Sequence, residues 1–279
     1  MYSHSRINCF KQCPKMYEYK YIRRLNPIEE SSSLFIGSGF HKCIELNDVN
    51  AALKWMDEES EKNINTISDS VETDKIIAAA MGEAFLKKYP DHNKGNVKHE
   101  VHFVHKLPNG EEFQLYLDGL VETDEGYYIR EYKTSSRVDE TYIDKLKFND
   151  QISRYWCIIE KELDKPILGV DYYVAKKPLL RQKKTESLEQ YRERLVERLM
   201  EDDNIINIKL TRTREEIDEA YQDLIYDIDV INKATRYTKV LSSCTAYGRC
   251  PYMDLCMGNE DALVNFIEKE EDNNDITRK

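Results

Sequence analysis

The spacing of apolar residues predicts a chain that runs from helices into a strand meander and back into helices. Apolar residues recur at near-helical spacing over 44–56 and 76–89, which predicts a helix in each segment. Between about 97 and 133 the period changes to two, which predicts three successive strands. These strands are VKHEVHFVH, FQLYLDGLVE and YYIREYK, and the turns between them are PNGEE and TDEG.

The remainder of the chain returns to helical spacing with one more strand. We predict a helix over 141–161, a strand over 167–175 and further helices over about 186–200 and 213–233. The last helix opens on Thr213-x-x-Glu216, the pattern of a capping box. The order of elements predicts an α/β (α+β) fold in which helices flank a mixed central sheet.

The domain organisation follows from the absence of internal repeats and of Gly/Ser linkers in the sequence. We predict a single domain over 1–265 with a helical insert at about 44–96. Residues 266–279 are acidic and low in apolar residues, so we predict a disordered tail there.

The formal net charge of −11 is unevenly distributed and therefore says little about nucleic acid as a partner. Nine acids and two bases fall in 44–74, and seven acids and three bases in 259–279. Three stretches carry excess positive charge: 1–43, 176–184 and 230–253. Such stretches can hold phosphates, or each can be an ordinary solvated face, which is the commoner case for any single run.

The lengths of the apolar runs and the number of cysteines indicate in which cellular compartment we expect the protein. The longest apolar runs fall far below the roughly 20 residues of a membrane span, so we expect no integral membrane protein. The start, MYSHSRINCF, has no apolar signal-peptide core, and seven cysteines is an odd number for a disulfide framework. We therefore expect an intracellular, cytoplasmic protein with free thiols or a metal site.

The predicted hairpin contains the first group of candidate catalytic and metal-binding residues. A hairpin closed at the TDEG turn would place Asp118 directly across from Glu131, with Lys133 on the same face. Two carboxylates that close repel unless a cation lies between them, and a lysine can hold or activate water. These are the parts of metal-assisted phosphodiester hydrolysis. The alternative is an exposed cross-strand salt bridge, and a register slip of one residue would place the acids on opposite faces.

Four cysteines from the two ends of the chain form a second candidate site. Cys244, Cys250 and Cys256 fall within thirteen residues, and Cys13 can supply a fourth thiolate. Four thiolates suit Zn²⁺ or an iron–sulfur cluster, and the alternative is a set of ordinary buried thiols. The remaining cysteines, Cys9, Cys43 and Cys157, are predicted core residues, with Cys9 a substitute for Cys13.

Taken in order along the chain, these segments resemble the RecB-like branch of the PD-(D/E)xK nuclease superfamily. The similarity is to members that carry a [4Fe–4S] cluster, such as AddB-type, CRISPR-associated and phage exonucleases. The matching segments are SRINCFKQCPKMYEYKYI, FIGSGFHKCIE with its Gly37-x3-His41, VKHEVHF near Glu100, YLDGLVE, YIREYKTSS, the Gln151-x3-Tyr155 helix and CTAYGRCPYMDLC.

The resemblance implies a restriction-endonuclease-like fold and a role for each matching residue. It implies Mg²⁺ or Mn²⁺ held by His41, Asp118 and Glu131, with Glu100 as an additional candidate. Catalysis would fall to Asp118, Glu131, Lys133, Gln151 and Tyr155. The four cysteines, Cys13, Cys244, Cys250 and Cys256, would hold a [4Fe–4S] cluster in preference to Zn²⁺, with about 236–258 as the C-terminal cluster segment.

Two departures from the family pattern stand in the sequence. The gap between Cys244 and Cys250 is five residues where the family often has two, and Leu117-Asp118 replaces the Pro-Asp of the superfamily's name. No Walker motif is present, so the chain is not a helicase.

The function implied is that of a metal-dependent DNA exonuclease or end-processing enzyme. It would act on single strands or duplex ends in replication, recombination or repair, with a helicase or recombination protein as a potential partner, in the host cytoplasm if phage-encoded. Two alternatives stay open: a catalytically inactive DNA-binding or assembly subunit, and a zinc-stabilised binding module.

Overall fold

The computed structural model of the chain describes residues 1–28, 31–62, 70–201, 203–246 and 248–268. The α-helices are α1 (His4–Gln12), α2 (Pro14–Tyr17), α3 (Ser32–Leu46), α4 (Val49–Lys62), α5 (Val71–Lys88), α6 (Glu140–Lys147), α7 (Asp150–Glu162), α8 (Leu188–Leu199), α9 (Arg214–Lys233) and α10 (Met253–Cys256). The strands are β1 (Leu25–Pro27), β2 (Asn96–Lys106), β3 (Glu112–Glu122), β4 (Tyr127–Ser135), β5 (Ile167–Lys176), β6 (Ile205–Leu210) and β7 (Phe266–Glu268). A π-helical turn, Glu18–Ile22, extends α2, and short 3-10 turns span Leu241–Ser243 and Glu260–Asn265.

The central sheet has five strands in the order β2-β3-β4-β5-β6. Strand β4 is antiparallel to β3 and parallel to β5, and β6 closes the edge antiparallel to β5. The sheet is therefore mixed and flanked by helices, which confirms the predicted fold class. Strand β6 was missed from the sequence, because six residues without strict alternation give only a weak strand signal.

The hairpin between β3 and β4 has the register that the sequence predicted. Gly119 pairs with Arg130 across the hairpin. The turn is closed by Thr123, whose backbone N–H donates to the Gly126 carbonyl at 2.9 Å and whose hydroxyl accepts from the Gly126 N–H at 3.2 Å. Continued by one residue, this register brings position 118 opposite position 131, so both side chains share one face of the sheet.

The predicted helix over 44–56 is wrong as a single element, because the chain turns inside it. Asn47 adopts a left-handed conformation with φ of 50°, which ends α3. The Asp48 side chain then accepts hydrogen bonds from the backbone N–H groups of Asn50 and Ala51, which begins α4. The apolar spacing matched one helix because α3 and α4 each bury an apolar face.

The predicted helix over 141–161 is likewise two helices. Helix α6 ends at Lys147, and α7 begins after Asn149, whose side chain accepts from the Ile152 N–H at 3.1 Å. The C-cap Phe148 ends the first helix and the Asn149 cap begins a second one, which apolar spacing alone does not reveal. The capping box predicted before α9 is present, because the Thr213 and Glu216 side chains each accept from the other residue's backbone N–H.

Helices α3 and α5 pack in close contact because small residues face each other. A Cβ atom at Gly82 would overlap the Cβ atom of Cys43, and one at Gly39 would lie 2.8 Å from that of Ala78. The two helices share a core with β4 and β5 through buried aromatic rings, including Phe85 and Tyr132. This packing fixes α3, the helix that carries His41, in the same core as the central strands.

The chain divides into two compact units. The first contains 1–29, 103–115 and 218–279, and the second contains 30–102 and 116–217. The predicted single domain over 1–265 stays a prediction. Part of the predicted tail is ordered, since Phe266–Glu268 forms β7 and pairs with Leu25–Pro27 through backbone hydrogen bonds. Residues 269–279 lie outside the described residues.

Candidate nuclease centre and cysteine cavity

Three side chains from three different elements of the second unit converge on one point. His41 comes from α3, Glu100 from β2 and Asp118 from β3. One ligand atom from each, a ring nitrogen or a carboxylate oxygen, lies within 4.8 Å of the other two. We call these three residues the carboxylate site. An imidazole nitrogen with two carboxylate oxygens is a donor set that suits Mg²⁺ or Mn²⁺.

Asp118 is the residue around which the carboxylate site is built. Its side chain is buried, and its Oδ2 atom accepts a hydrogen bond from the Tyr132 N–H at 2.8 Å. Its Oδ1 atom lies 3.3 Å from Nδ1 of His41. The backbone of the neighbouring strand thus orients one oxygen of the carboxylate, which directs the other toward the imidazole.

Glu100 has an unusual backbone conformation in the middle of a strand. Its φ is 50°, in the left-handed region that non-glycine residues rarely adopt. Holding such a conformation costs on the order of 1 kcal/mol or more, and it occurs often at functional sites. The family resemblance implied Glu100 only as an additional candidate, whereas the structure places it within the carboxylate site.

Glu131 lies beside the carboxylate site in a different set of contacts. Its side chain is buried, and its Oε1 atom accepts from Nζ of Lys133 and from Nε2 of Gln151, the latter at 3.2 Å. Strand β4 supplies Glu131 and Lys133, and the first turn of α7 supplies Gln151. Among the described residues, the close group of ligand atoms does not include Glu131, so its predicted role as a metal ligand stays a prediction.

Two tyrosines that sequence reasoning missed line the same region. Tyr172 lies next to Glu131 in the parallel register of β4 and β5, and its hydroxyl is 3.1 Å from that of Tyr142 on α6. Burial raises the pKa of both phenols, and the charge of Glu131 raises each further. Tyr155, the predicted family tyrosine, is buried on α7. Only knowledge of the strand order could have brought Tyr172 to this site.

The four predicted cluster cysteines line one cavity in the first unit. Cys13, Cys244, Cys250 and Cys256 surround a volume of about 260 Å³, together with apolar side chains of Met16, Val240, Leu241, Met253 and Met257. We call this the cysteine cavity. Burial raises the pKa of the Cys250 and Cys256 thiols. The structure therefore brings together residues that are up to 243 positions apart in the sequence.

The other three cysteines are buried, as predicted for core residues. Cys9 is buried in α1, Cys43 in α3 and Cys157 in α7. Burial raises the pKa of the Cys43 and Cys157 thiols to about 12. Cys9 is not among the residues that line the cysteine cavity, whereas Cys13 is.

In the part of the chain that the structure describes, every helix is too short or too polar to cross a lipid bilayer.

Comparison with known proteins identifies the family. The sequence matches the profile of the PD-(D/E)XK nuclease superfamily over residues 1–257. The chain belongs to the PD-(D/E)XK nuclease superfamily, and its five-stranded mixed sheet with flanking helices agrees with the restriction-endonuclease-like fold of that superfamily. Among curated protein sequences, none matches the chain.

Two solved structures are similar in fold. One is the crystal structure of a candidate exonuclease from Eubacterium rectale, with a TM-score of 0.55 and 14% identity over 99% of this chain and 92% of that chain. The other is the crystal structure of SSO0001, with a TM-score of 0.35 and 10% identity over 63% of this chain and 84% of that chain. At this identity the first structure supports the fold alone, and the second is too distant to support an argument.

Proposed function

We propose that the chain is a metal-dependent deoxyribonuclease, and more specifically an exonuclease or end-processing enzyme that hydrolyses phosphodiester bonds of single-stranded DNA or duplex ends. The observation that carries this proposal is the convergence of His41, Glu100 and Asp118 within 4.8 Å beside Glu131 and Lys133. Superfamily membership supports hydrolysis of nucleic acid, and the resemblance of the sequence motifs to RecB-like exonucleases supports action at ends.

The residues of the carboxylate site fit a hard divalent cation. Two carboxylates as close as those of Glu100 and Asp118 repel each other, and a cation offsets that repulsion. A bound Mg²⁺ or Mn²⁺ would supply Lewis acidity toward the phosphate and lower the pKa of a water molecule. Asp118 is fixed by the Tyr132 N–H and Glu100 by its left-handed backbone, so two of the three ligands are positioned before any cation binds.

Glu131, Lys133 and Gln151 form the polar set that would position the attacking water. The Lys133 ammonium donates to Oε1 of Glu131, and the Gln151 amide donates to the same oxygen. Lys133 would hold the water by a hydrogen bond or take its proton, while Glu131 maintains the position of the ammonium group. Gln151 and Tyr155 would orient this pair or the phosphate, and attack at phosphorus would leave a 5′-phosphate.

We further propose that the cysteine cavity holds a structural [4Fe–4S] cluster, as in the iron–sulfur branch of the superfamily. The four thiols line one cavity, and its other lining residues are largely apolar. Thiolates in an apolar cavity suit a group of soft metal ions, and the resemblance to the iron–sulfur branch supports a cluster in preference to Zn²⁺.

The nuclease proposal is tested by a cleavage assay on end-labelled single-stranded and duplex DNA with Mg²⁺ or Mn²⁺. We expect cleavage that chelation abolishes and that Lys133→Ala removes, whereas Lys147→Ala, an exposed lysine on α6, retains it. A protein that binds DNA without cleaving it would instead support the inactive-subunit alternative. The ends released would establish polarity, and purification of partner proteins would test association with a helicase or recombination protein.

The cluster proposal is tested by the colour and metal content of the purified protein. Broad visible absorption with about four irons per chain is expected for the cluster. A colourless protein with stoichiometric zinc would contradict the cluster and support a zinc-stabilised module.

A further inference from the structure

The loop that follows β5 concentrates positive charge that the proposed chemistry does not use. Residues 176–184 contain five bases and no acid. The side chains of Arg181, Lys183 and Lys184 are exposed, and within the described part of the chain their charged groups make no ion pair or hydrogen bond. A basic run is often only a solvated face, so its role depends on whether the loop has a fixed structure and where it lies.

The loop formed by residues 176–184, which we call the basic loop, is held in place by hydrogen bonds to α8 and to residues just before it. Glu186 accepts two hydrogen bonds of 2.7 Å from the guanidinium of Arg194 and one of 2.9 Å from the Lys183 N–H. The Tyr191 hydroxyl donates to the Leu180 carbonyl at 2.7 Å. Arg194 thus neutralises Glu186, the first acid after the loop in the sequence. Helix α8, through Tyr191, holds the loop backbone. A loop ordered in advance loses less entropy when it binds a ligand.

The basic loop starts where β5 ends, beside the end of β4, the strand that carries the proposed catalytic Lys133. Strands β4 and β5 are parallel, and the Lys177 N–H donates to the Ser135 carbonyl at 2.8 Å. Lys133 lies two residues before Ser135 on β4, a distance of about 7 Å along the strand. The Lys177 ammonium also donates to the Ser33 carbonyl at 3.0 Å, at the start of the helix that carries His41. By chain length, Lys184 lies at most about 25 Å from Lys177.

We propose that Arg181, Lys183 and Lys184 form a second contact surface that binds the phosphodiester backbone of the substrate strand outside the scissile position. This inference rests on the proposed nuclease function, because it takes nucleic acid as the ligand. Lysine and arginine bind phosphates by releasing condensed counterions, which makes affinity strongly salt-dependent. Contacts of this kind position the strand without reading its sequence.

The test compares two triple variants of equal charge. One carries Arg181→Gln, Lys183→Gln and Lys184→Gln; the control carries Lys54→Gln, Lys87→Gln and Lys94→Gln, three exposed lysines elsewhere in the same unit. Binding of a fluorescent single-stranded oligonucleotide to the full chain is measured by anisotropy in EDTA, which prevents cleavage, at several salt concentrations.

We expect the loop variant to bind about 10- to 50-fold more weakly near physiological salt, and its slope of log affinity against log salt to fall by about 2. The control is expected to bind within about twofold of wild type, since at that salt exposed charges far from the ligand are screened. With metal present, KM for DNA should rise in the loop variant while kcat stays unchanged, because Glu131 and Lys133 are intact.

Three results would contradict the proposal. Equal weakening in both variants would assign the effect to total charge, and unchanged binding in the loop variant would exclude contact at the loop. Wild-type protein that binds neither DNA nor RNA oligonucleotides would overturn the proposed function as well. Folding is checked by thermal unfolding and by a charge-retaining variant, Arg181→Lys with Lys183→Arg and Lys184→Arg, which should bind like wild type.

Discussion

The carboxylate site and the cysteine cavity both gather ligand atoms from distant parts of the sequence, but they do so in opposite ways. In the carboxylate site, ligand atoms of His41, Glu100 and Asp118 come within 4.8 Å of each other, and a backbone hydrogen bond orients Asp118. In the cysteine cavity, four thiols surround about 260 Å³ of largely apolar space. One site is small and polar, and the other is larger and suited to soft ligands.

In the proposed function, the carboxylate site serves catalysis and the cysteine cavity serves stability. Oxygen and imidazole ligands bind hard cations that exchange with solvent and substrate, whereas four thiolates bind soft metal groups that remain in place. Because the cysteine cavity joins Cys13 to Cys244, Cys250 and Cys256, which are far apart in sequence, a bound group there would stabilise the first unit. Loss of one site should therefore remove activity, and loss of the other should remove stability.

The largest expected effect comes from Asp118→Asn. Asparagine keeps the shape of the side chain and can still accept from the Tyr132 N–H, but it removes the charge that would hold the proposed cation. We expect cleavage to fall by about 10³-fold, or about 4 kcal/mol of transition-state stabilisation, while the melting temperature stays nearly unchanged. Steady-state cleavage rates and calorimetry measure the two quantities. A variant that cleaves at the wild-type rate would exclude Asp118 as a ligand.

The next largest effect is expected for Cys256→Ser, with Cys157→Ser as the matched control. Both remove a thiol, but only Cys256 lines the cysteine cavity, and Cys157 is buried in α7. We expect Cys256→Ser to lose visible colour and to melt about 10 °C lower, because several kcal/mol of metal-binding free energy are lost. Absorption spectra and thermal unfolding provide the measurement. Equal changes in both variants would indicate that the cavity thiols are ordinary core residues.

A smaller effect distinguishes the backbone strain at Glu100 from the proposed role of its carboxylate as a metal ligand. Glu100 has a left-handed backbone, so Glu100→Gly should be more stable than Glu100→Ala by about 1 kcal/mol in urea unfolding. Both variants should lose cleavage activity alike, since both lack the carboxylate. At Val101, the next residue, the order of the glycine and alanine variants should reverse. The absence of that reversal would contradict stored backbone strain at Glu100.

The smallest effect concerns pH and involves neither site directly. Burial lowers the pKa of His92 below its usual value, so folding favours the neutral ring. Its contribution to stability is present above the unfolded pKa of about 6.5 and is lost as the pH falls, because the unfolded chain takes up the proton more readily. The melting temperature of wild type should therefore decline more steeply from pH 7 to pH 5 than that of His92→Gln. Parallel curves would exclude this contribution.

Local sequence was sufficient to predict features that form within one strand, one turn or one helix cap. The period of two over 97–133 predicted the strand meander, and the Thr123–Gly126 turn fixed the hairpin register that aligns Asp118 with Glu131. The capping pattern at Thr213 predicted the start of α9. Each of these features depends on residues close in sequence, whose geometry is set by backbone and capping preferences.

Local sequence was not sufficient where the same apolar or polar pattern is compatible with more than one structure. Apolar spacing continued through Asn47 and through Asn149, but a left-handed residue and a new helix cap broke the two predicted helices. Strand β6 was missed, and the acidic tail was predicted from composition although its first three residues pair with β1. In each case the outcome depended on a partner that the local pattern does not contain.

Residue types and their spacing were enough to predict the superfamily, the strand meander and the candidate site residues. Tertiary structure brings Glu100 into the close group, pairs Glu131 with Lys133 and Gln151, and places Tyr172 beside Glu131. The physical reason is that residue type and spacing fix which groups a chain can offer. Their distances depend on strand order and helix packing, which arise from contacts between residues far apart in sequence.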